Sequence, residues 1–464
     1  MRIVMTVALL LSGICGKLVH AGHPHEAAFT RPYGAAETSE VAAGYAALFT
    51  CSAHFIMGRP LHDIIAVELV DLQDLGLDAP EIDATRRLVR ARDRHGREMI
   101  AAHRDTMGCT LLPPHWDEAD VSKLPYVAHS PAYAASSDRQ QTDYPMGDQV
   151  SFSLNAAQKR LLEQTFDGKT FGDGTVSVGT VIIKDGVLVA EQYRQGFGPY
   201  SGYRTWSTAK SVTATLIGIA VRDGLMDIAH AAPIPEWQYF DDPRQAITLT
   251  HLLRMSSGLA SAGAGTGALY FGGQDVVSSI ANAPLEAEPG TRWKYANADT
   301  LLLLHALRSV LNDDLRYLRF PYDELFHRIG MFHSRLETDH LGNFIGSSQM
   351  YTTARDLGRF GLLYLNGGVW DGTRILPEGW TEFVAQSAPA LPRKDGEQGY
   401  GAQFWLLDRL EGVPAGTYTT AGNKGQFSTI VPAHDMVIVR TGVDPNGVRW
   451  QQDKYVAAII AAFD

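Results

Sequence analysis

The sequence predicts an α+β fold (α/β/α): an antiparallel sheet built from both ends of residues 146–464, flanked by helices, with a mainly helical second lobe from the middle of that region. Three observations lead there. Within that region strand-like sequence clusters at the two ends, in one hairpin near residues 176–189 and one near 427–441. Helical and loop-rich sequence fills the interval between them. Helix-like segments precede the first hairpin and follow the second, so a sheet closed from both ends has helices to pack on it.

Taken in order, Asn155 to Phe166 reads as a helix and Gly168 to Gly174 as a Gly and Asp loop. Val176, Val178, Thr180 and Ile182 then alternate with other residues up to Lys184-Asp185-Gly186, and Val187 with Val189 resume beyond that turn, the pattern of a two-strand hairpin. A helix is expected from Ser207 to Arg222 with Gly224 as its C-terminal cap. Leu301 to Val310 is an apolar core helix. Phe427 to Val431, the turn Pro432 to Asp435, and Met436 to Thr441 form the second hairpin, and Tyr455 to Phe463 closes the chain as a helix. There is no internal repeat.

Residues 22–145 read as a region of their own. A helical pattern runs from Glu40 to Phe49, an apolar run from Ile64 to Val70, and a hairpin from Arg87 to Arg92 and Glu98 to His103 around Asp93-Arg94-His95-Gly96. Pro125 to Gly147, rich in Pro, Ser, Tyr, Gln and Asp, reads as a linker.

The chain has 464 residues, 45% hydrophobic and 20% charged, with a formal net charge of −11. That is enough chain for a large core. The acidic balance argues against nucleic acid or anionic lipid as partner and leaves a small-molecule or peptide substrate. Met1-Arg2, the apolar run Ile3 to Leu11 and the small residues up to Ala21 follow the pattern of a secretory signal, with cleavage expected after Ala21. The apolar run is too short to span a bilayer, so no stable membrane insertion is expected, and the protein should be periplasmic or secreted. Cys15 leaves with the signal. The remaining pair, Cys51 and Cys109, is most simply a disulfide in an oxidising compartment.

Three motifs carry chemistry. Ser207-Thr208-Ala209-Lys210 is the only Ser-x-x-Lys in the chain and opens a predicted helix, where residues three apart share a face, so the serine hydroxyl and lysine amine come within hydrogen-bond reach. To take the serine's proton the lysine must be neutral, which burial and nearby positive groups would favour by lowering its pKa. The helix N-terminus adds a positive end where an oxyanion would form. Tyr295 and Asn297, in a Tyr-x-Asn on the loop before the apolar helix, supply a phenol that can relay a proton if a cation lowers its pKa and an amide that can hold a substrate carbonyl. Gly422-Asn423-Lys424-Gly425-Gln426 precedes the last hairpin: glycine lets a substrate backbone lie close to the strand, and Lys424 could neutralise a substrate carboxylate.

The three elements in this order resemble the serine β-lactamase, penicillin-binding protein and related esterase superfamily, for which Ser-x-x-Lys is an established signature. Residues 248–259, 353–361 and 398–401 resemble its class C-like branch, and the likeness covers Ser151 to Asp464. The resemblance implies a β-lactamase/DD-peptidase-like fold and an acyl-enzyme mechanism. It makes Ser207 the nucleophile, Lys210 its base, Tyr295 a second acid/base and Asn297 a substrate contact. The oxyanion hole would use the N–H groups of Ser207 and Gln426, with Lys424 and Gly425 beside the substrate. One departure stands out: the third box reads Asn423-Lys424-Gly425 where β-lactamases carry Lys-Thr-Gly, which resembles the amidase and esterase members, including the 6-aminohexanoate-dimer hydrolases. The expected function is therefore cleavage of small amides or esters, carboxylate-bearing ones among them, without metal or organic cofactor. A class C β-lactamase or D,D-carboxypeptidase is the alternative, and a ligand-binding homologue without turnover a second one. His23 and His25 lack the further ligands of a metal site. His251 reads as a loop residue, and Gly263, Gly265 and Gly267 as a flexible loop without the flanking elements of a phosphate cradle.

Overall fold

The computed structural model describes residues 35–128, 137–260 and 265–464. The expected leader, His23, His25 and Gly263 lie outside the described residues. In the N-terminal extension, α1 (Ala35–Phe55) and α2 (Leu61–Val67) lead into an antiparallel sheet of β1 (Glu81–Asp83), β2 (Leu88–Arg92), β3 (Glu98–Arg104) and β4 (Gly108–Leu111), paired in that order. A disulfide joins Cys51 on α1 to Cys109 on β4, with the Cα atoms 6.1 Å apart.

The larger part begins with α3 (Ala156–Thr165), whose N-cap Asn155 accepts from the N–H groups of Ala157 and Gln158. The hairpin of β5 (Ser177–Lys184) and β6 (Val187–Tyr193) turns on Asp185 and Gly186, both at positive φ (51° and 78°), the geometry that matches the twist of a two-residue hairpin. After β7 (Tyr203–Arg204) come helices α4 (Thr208–Arg222), α5 (Gly265–Phe271) and α6 (Asn297–Leu311). Strands β8 (Arg335–Leu336) and β9 (Met350–Thr352) form a small sheet with β7 in the order β7-β9-β8. Helix α7 (Ala354–Leu365) follows, and then β10 (Gly399–Tyr400), β11 (Trp405–Leu406), β12 (Tyr418–Gly422), β13 (Gln426–Val431), β14 (Met436–Gly442) and α8 (Gln452–Phe463).

The main sheet runs β10-β11-β12-β13-β14-β5-β6, antiparallel throughout, so the first strands of this region lie beside the last. Helices α3 and α8 cover one face through Leu161, Ile182, Ile438, Tyr455 and Ile459. On the other, α7 presses so close that a Cβ on Gly361 would fall 2.3 Å from Val437 Cγ1. Helix α4 is central, buried from Thr208 to Ala220. Burying each of Leu216, Ile217 and Ile219 is worth about 1.5–3 kcal/mol.

Two expectations about organisation are corrected. The described part of the expected linker is locked onto the larger part: Arg139 pairs with Asp148 (3.1 Å), Asp148 with Arg359 (2.6 Å), and the buried Tyr144 donates to the Arg355 carbonyl (2.9 Å). Its Pro, Ser and Gln content does not reveal these long-range partners. Gly265 and Gly267 lie in α5, because α1 packs against that segment: a Cβ on Gly44 would sit 1.9 Å from the Phe271 carbonyl oxygen. The extension accordingly shares one core with the larger part, Tyr45 and Phe49 stacking near Phe271 (4.8 and 5.8 Å). Among the described residues no helix is long and apolar enough to cross a membrane.

Candidate active site

Ser207 stands at the N-terminus of α4, immediately after Trp206, whose φ of +50° is a left-handed conformation that bulky side chains avoid. The turn is held from outside. Arg204 stacks on both the Phe49 and Trp206 rings (4.0 and 4.5 Å to the centroids), and Phe49 and Trp206 lie 5.5 Å apart. This fixes the start of the helix and the hydroxyl it carries.

One helical turn on, Lys210 is 1% exposed and its Nζ has three oxygen neighbours: Ser207 Oγ at 3.2 Å, Asn297 Oδ1 at 2.6 Å and the Ser347 carbonyl at 2.7 Å. Burial alone brings its pKa from 10.5 down to about 7. The expected neighbouring cation is absent from those causes, and desolvation takes its place. In the neutral amine two N–H groups serve the two carbonyl acceptors, which cannot donate. The lone pair is then left for the Ser207 hydroxyl.

Asn297, expected to touch substrate, turns its amide oxygen to Lys210 and so positions the Lys210 amine. Tyr295 lies where its ring centroid is 5.1 Å from Lys210 Nζ. Burial drives the Tyr295 phenol far above its usual range, with the nearby Ser207 hydroxyl acting in the opposite direction. Its hydroxyl makes no fully formed hydrogen bond. The expectation of a lowered phenol pKa is thereby reversed: Tyr295 stays protonated and suits proton donation more than extraction. Trp293, Tyr400 and Trp405 close an aromatic wall around it, at centroid distances of 4.9 to 6.5 Å within the group.

The third motif is displaced from its expected place. Strand β12 runs against the Ser207 turn: Thr208 Oγ1 donates to Thr420 Oγ1 (3.3 Å), and a Cβ on Gly422 would fall 2.0 Å from the Thr205 carbonyl oxygen. Ala421 faces the aromatic wall. Lys424 turns away to the extension and pairs with Asp71 (3.0 Å), so the free cation expected for a substrate carboxylate is already neutralised. Gln426 Nε2 donates to the Gly442 carbonyl (2.5 Å) and the Gln426 carbonyl accepts from Thr208 Oγ1 (3.3 Å). Gly425, at φ +85°, abuts the Arg440 guanidinium, where a Cβ would lie 1.5 Å from Nη1. Thr420, Ala421 and Ser347 lie at this candidate site and were missed by sequence reasoning, whereas Gly422 is part of the third motif read from the sequence. The small residues on both sides of the one lysine in 418–426 were the available signal for the strand.

The family model described as Beta-lactamase matches residues 162–461. A 6-aminohexanoate-dimer hydrolase from Paenarthrobacter ureafaciens is 25% identical over 304 residues, which cover 58% of this chain and 74% of that protein. Among solved structures, a Bacillus anthracis protein assigned provisionally as a 6-aminohexanoate-dimer hydrolase is 22% identical with a TM-score of 0.51, covering 64% of this chain and 82% of its own. A family VIII carboxylesterase is 13% identical with a TM-score of 0.54, covering 68% and 100%. These structural likenesses establish the fold.

Proposed function

The chain belongs to the Beta-lactamase family, and from that membership we propose a serine hydrolase of small-molecule esters and amides in which Ser207 is the nucleophile and Lys210 its base. The observation that carries this reading is the three-oxygen cradle of Lys210, which leaves a neutral amine one acceptor site facing the Ser207 hydroxyl. Ser207 Oγ attacks the substrate carbonyl carbon as its proton passes to Lys210 Nζ. The N–H groups of Thr208, Ala209 and Lys210 bond to the carbonyls of Thr205, Trp206 and Ser207. The amide left at this helix end for the developing oxyanion is that of Ser207 itself. As the tetrahedral intermediate collapses, the bond to the leaving nitrogen or oxygen breaks. That atom takes a proton from Tyr295, which regains one from Lys210. Water then cleaves the Ser207 ester and restores the hydroxyl.

The names of the relatives, a 6-aminohexanoate-dimer hydrolase and a carboxylesterase, support linear amides and esters as the substrate class. Export is part of the same proposal, supported by the N-terminal pattern and the Cys51–Cys109 pair. A fluorophosphonate probe should label the wild type and not Ser207→Ala, and p-nitrophenyl esters, linear amides and nitrocefin assayed in parallel rank the substrates. Equal labelling of the two proteins removes Ser207 from the mechanism.

A further inference from the structure

We propose that Arg204 is a positioning residue that sets the contact between Ser207 and Lys210, its guanidinium tying the turn before Ser207 to the turn whose carbonyl holds the Lys210 amine. The proposal rests on Ser207 being the nucleophile and Lys210 its base. The two groups depend on different supports. Ser207 follows Trp206, held at φ +50°, while the Lys210 amine is steered by the Ser347 carbonyl at 2.7 Å. Ser207 Oγ and Lys210 Nζ are 3.2 Å apart, at the long end of a hydrogen bond. A displacement of about 1 Å in either support costs on the order of 10²-fold in rate.

Arg204 reaches both supports with one planar group. Its Cζ lies 4.0 Å from the Phe49 ring centroid and 4.5 Å from that of Trp206, and its Nη2 donates to Ser348 Oγ (3.3 Å), next to Ser347. Backbone pairing runs alongside: Arg204 faces Tyr351 across β7 and β9, and the Thr205 N–H donates to the Met350 carbonyl (2.8 Å). Strand β9 begins at Met350, beyond the Ser347–Ser348 turn, and the Arg204 side chain extends the restraint to that turn.

What it costs to keep an arginine here argues for the same role. Arg204 is 7% exposed, and its Nε and Nη1 make no fully formed hydrogen bond. The nearby buried acid, Glu337, is engaged instead by the Ser52 hydroxyl (2.7 Å) and the Cys109 N–H (2.8 Å). Buried N–H groups without acceptors work against folding. A methionine would fill the space without that cost. It would not present a flat cation to two rings and a donor to Ser348 at once.

Arg204→Ala, Arg204→Lys and Ser348→Ala are compared with wild type in kcat/KM for p-nitrophenyl acetate and in the rate of fluorophosphonate labelling, with thermal melting to report folding. Both Arg204 variants should lose about 10- to 100-fold in each rate, because lysine keeps the charge and not the plane. Guanidinium chloride at about 50 mM should restore Arg204→Ala by at least about threefold and leave wild type unchanged, while ammonium chloride at the same concentration restores nothing. Ser348→Ala removes a single hydroxyl and decides the matter should Arg204→Ala not fold; both of its rates should fall about threefold or more. Rates within about twofold of wild type in the folded Arg204 variants or in Ser348→Ala, or a loss in folded Arg204→Ala that guanidinium leaves untouched, overturn the positioning role while Ser207-dependent turnover stands. Labelling and turnover that survive in Ser207→Ala overturn the underlying function, and the role of Arg204 with it.

Discussion

A buried lysine that must be neutral to act leaves two linked signatures, one in rate and one in stability. The fall of the Lys210 pKa from 10.5 to about 7 corresponds to about 5 kcal/mol against the charged form, at about 1.4 kcal/mol per pH unit. In the unfolded chain the amine stays protonated up to about pH 10.5, while in the fold it loses its proton above about 7. Between those values the unfolded state binds more protons, so this group makes stability rise with pH. Below about pH 7 both states are charged and the full penalty applies. Lys210→Met abolishes the titration. It also leaves Asn297 Oδ1 and the Ser347 carbonyl without their donor, a pH-independent cost of about 1–3 kcal/mol each. The absolute change is therefore a small difference of opposed effects, and its pH dependence is the clean reading. Urea unfolding of both proteins from pH 7 to 9 should show the advantage of Lys210→Met shrinking by about 1.4 kcal/mol per pH unit. In the wild type, kcat/KM for an ester should fall tenfold per pH unit below about 7 and level off above it. A stability difference flat across that interval, together with a rate flat from pH 5 to 9, refutes the neutral-lysine mechanism.

Tyr270 of α5 shares a 2.5 Å hydrogen bond with Ser347 Oγ, the residue whose carbonyl accepts from Lys210, so Tyr270→Phe should loosen the cradle, lower kcat by about three- to tenfold and move the acid limb of the pH profile upward, as a better-solvated amine holds its proton longer. An unmoved limb in kcat/KM against pH removes Tyr270 as a positioning residue. The disulfide closes a loop with a sequence separation of 58, and replacing both cysteines by serine should lower stability to urea by roughly 4 kcal/mol; no change in midpoint refutes that estimate.

The parts of the fold readable in the sequence are those set by local pattern. Asp185-Gly186 defines its own turn, Asn155 caps its own helix, and the alternation in 176–182 and the apolar run in 436–439 mark strands wherever their partners lie. The Ser207–Lys210 face is equally local, since one helical turn places the two side chains together. Distant partners were illegible. Nothing near Lys424 in sequence announces Asp71, and nothing near Lys210 announces the Ser347 carbonyl, 137 positions away. The strand beside Ser207, Tyr418–Gly422, ends just before the lysine on which the third motif centres, and that lysine pairs with Asp71. Close packing at Gly422 against Thr205 is what sets the strand beside Ser207.

The extension lies outside the span that the family model matches, yet it bears on both Ser207 and Lys210. Holding Trp206 at φ +50° costs on the order of 1–3 kcal/mol and persists only where surroundings over-determine it. Here the restraint is the stack of Phe49, Arg204 and Trp206, and Phe49 belongs to α1. On the opposite side of the cradle α1 packs on α5, whose Tyr270 binds Ser347. Two contacts of a single helix thus reach Ser207 through its preceding residue and Lys210 through its carbonyl partner. The disulfide from Cys51, two positions beyond Phe49, anchors that helix where both contacts originate. A helix so placed belongs to the machinery it touches, and the larger part folded without it would have to hold the Trp206 turn against its own strain.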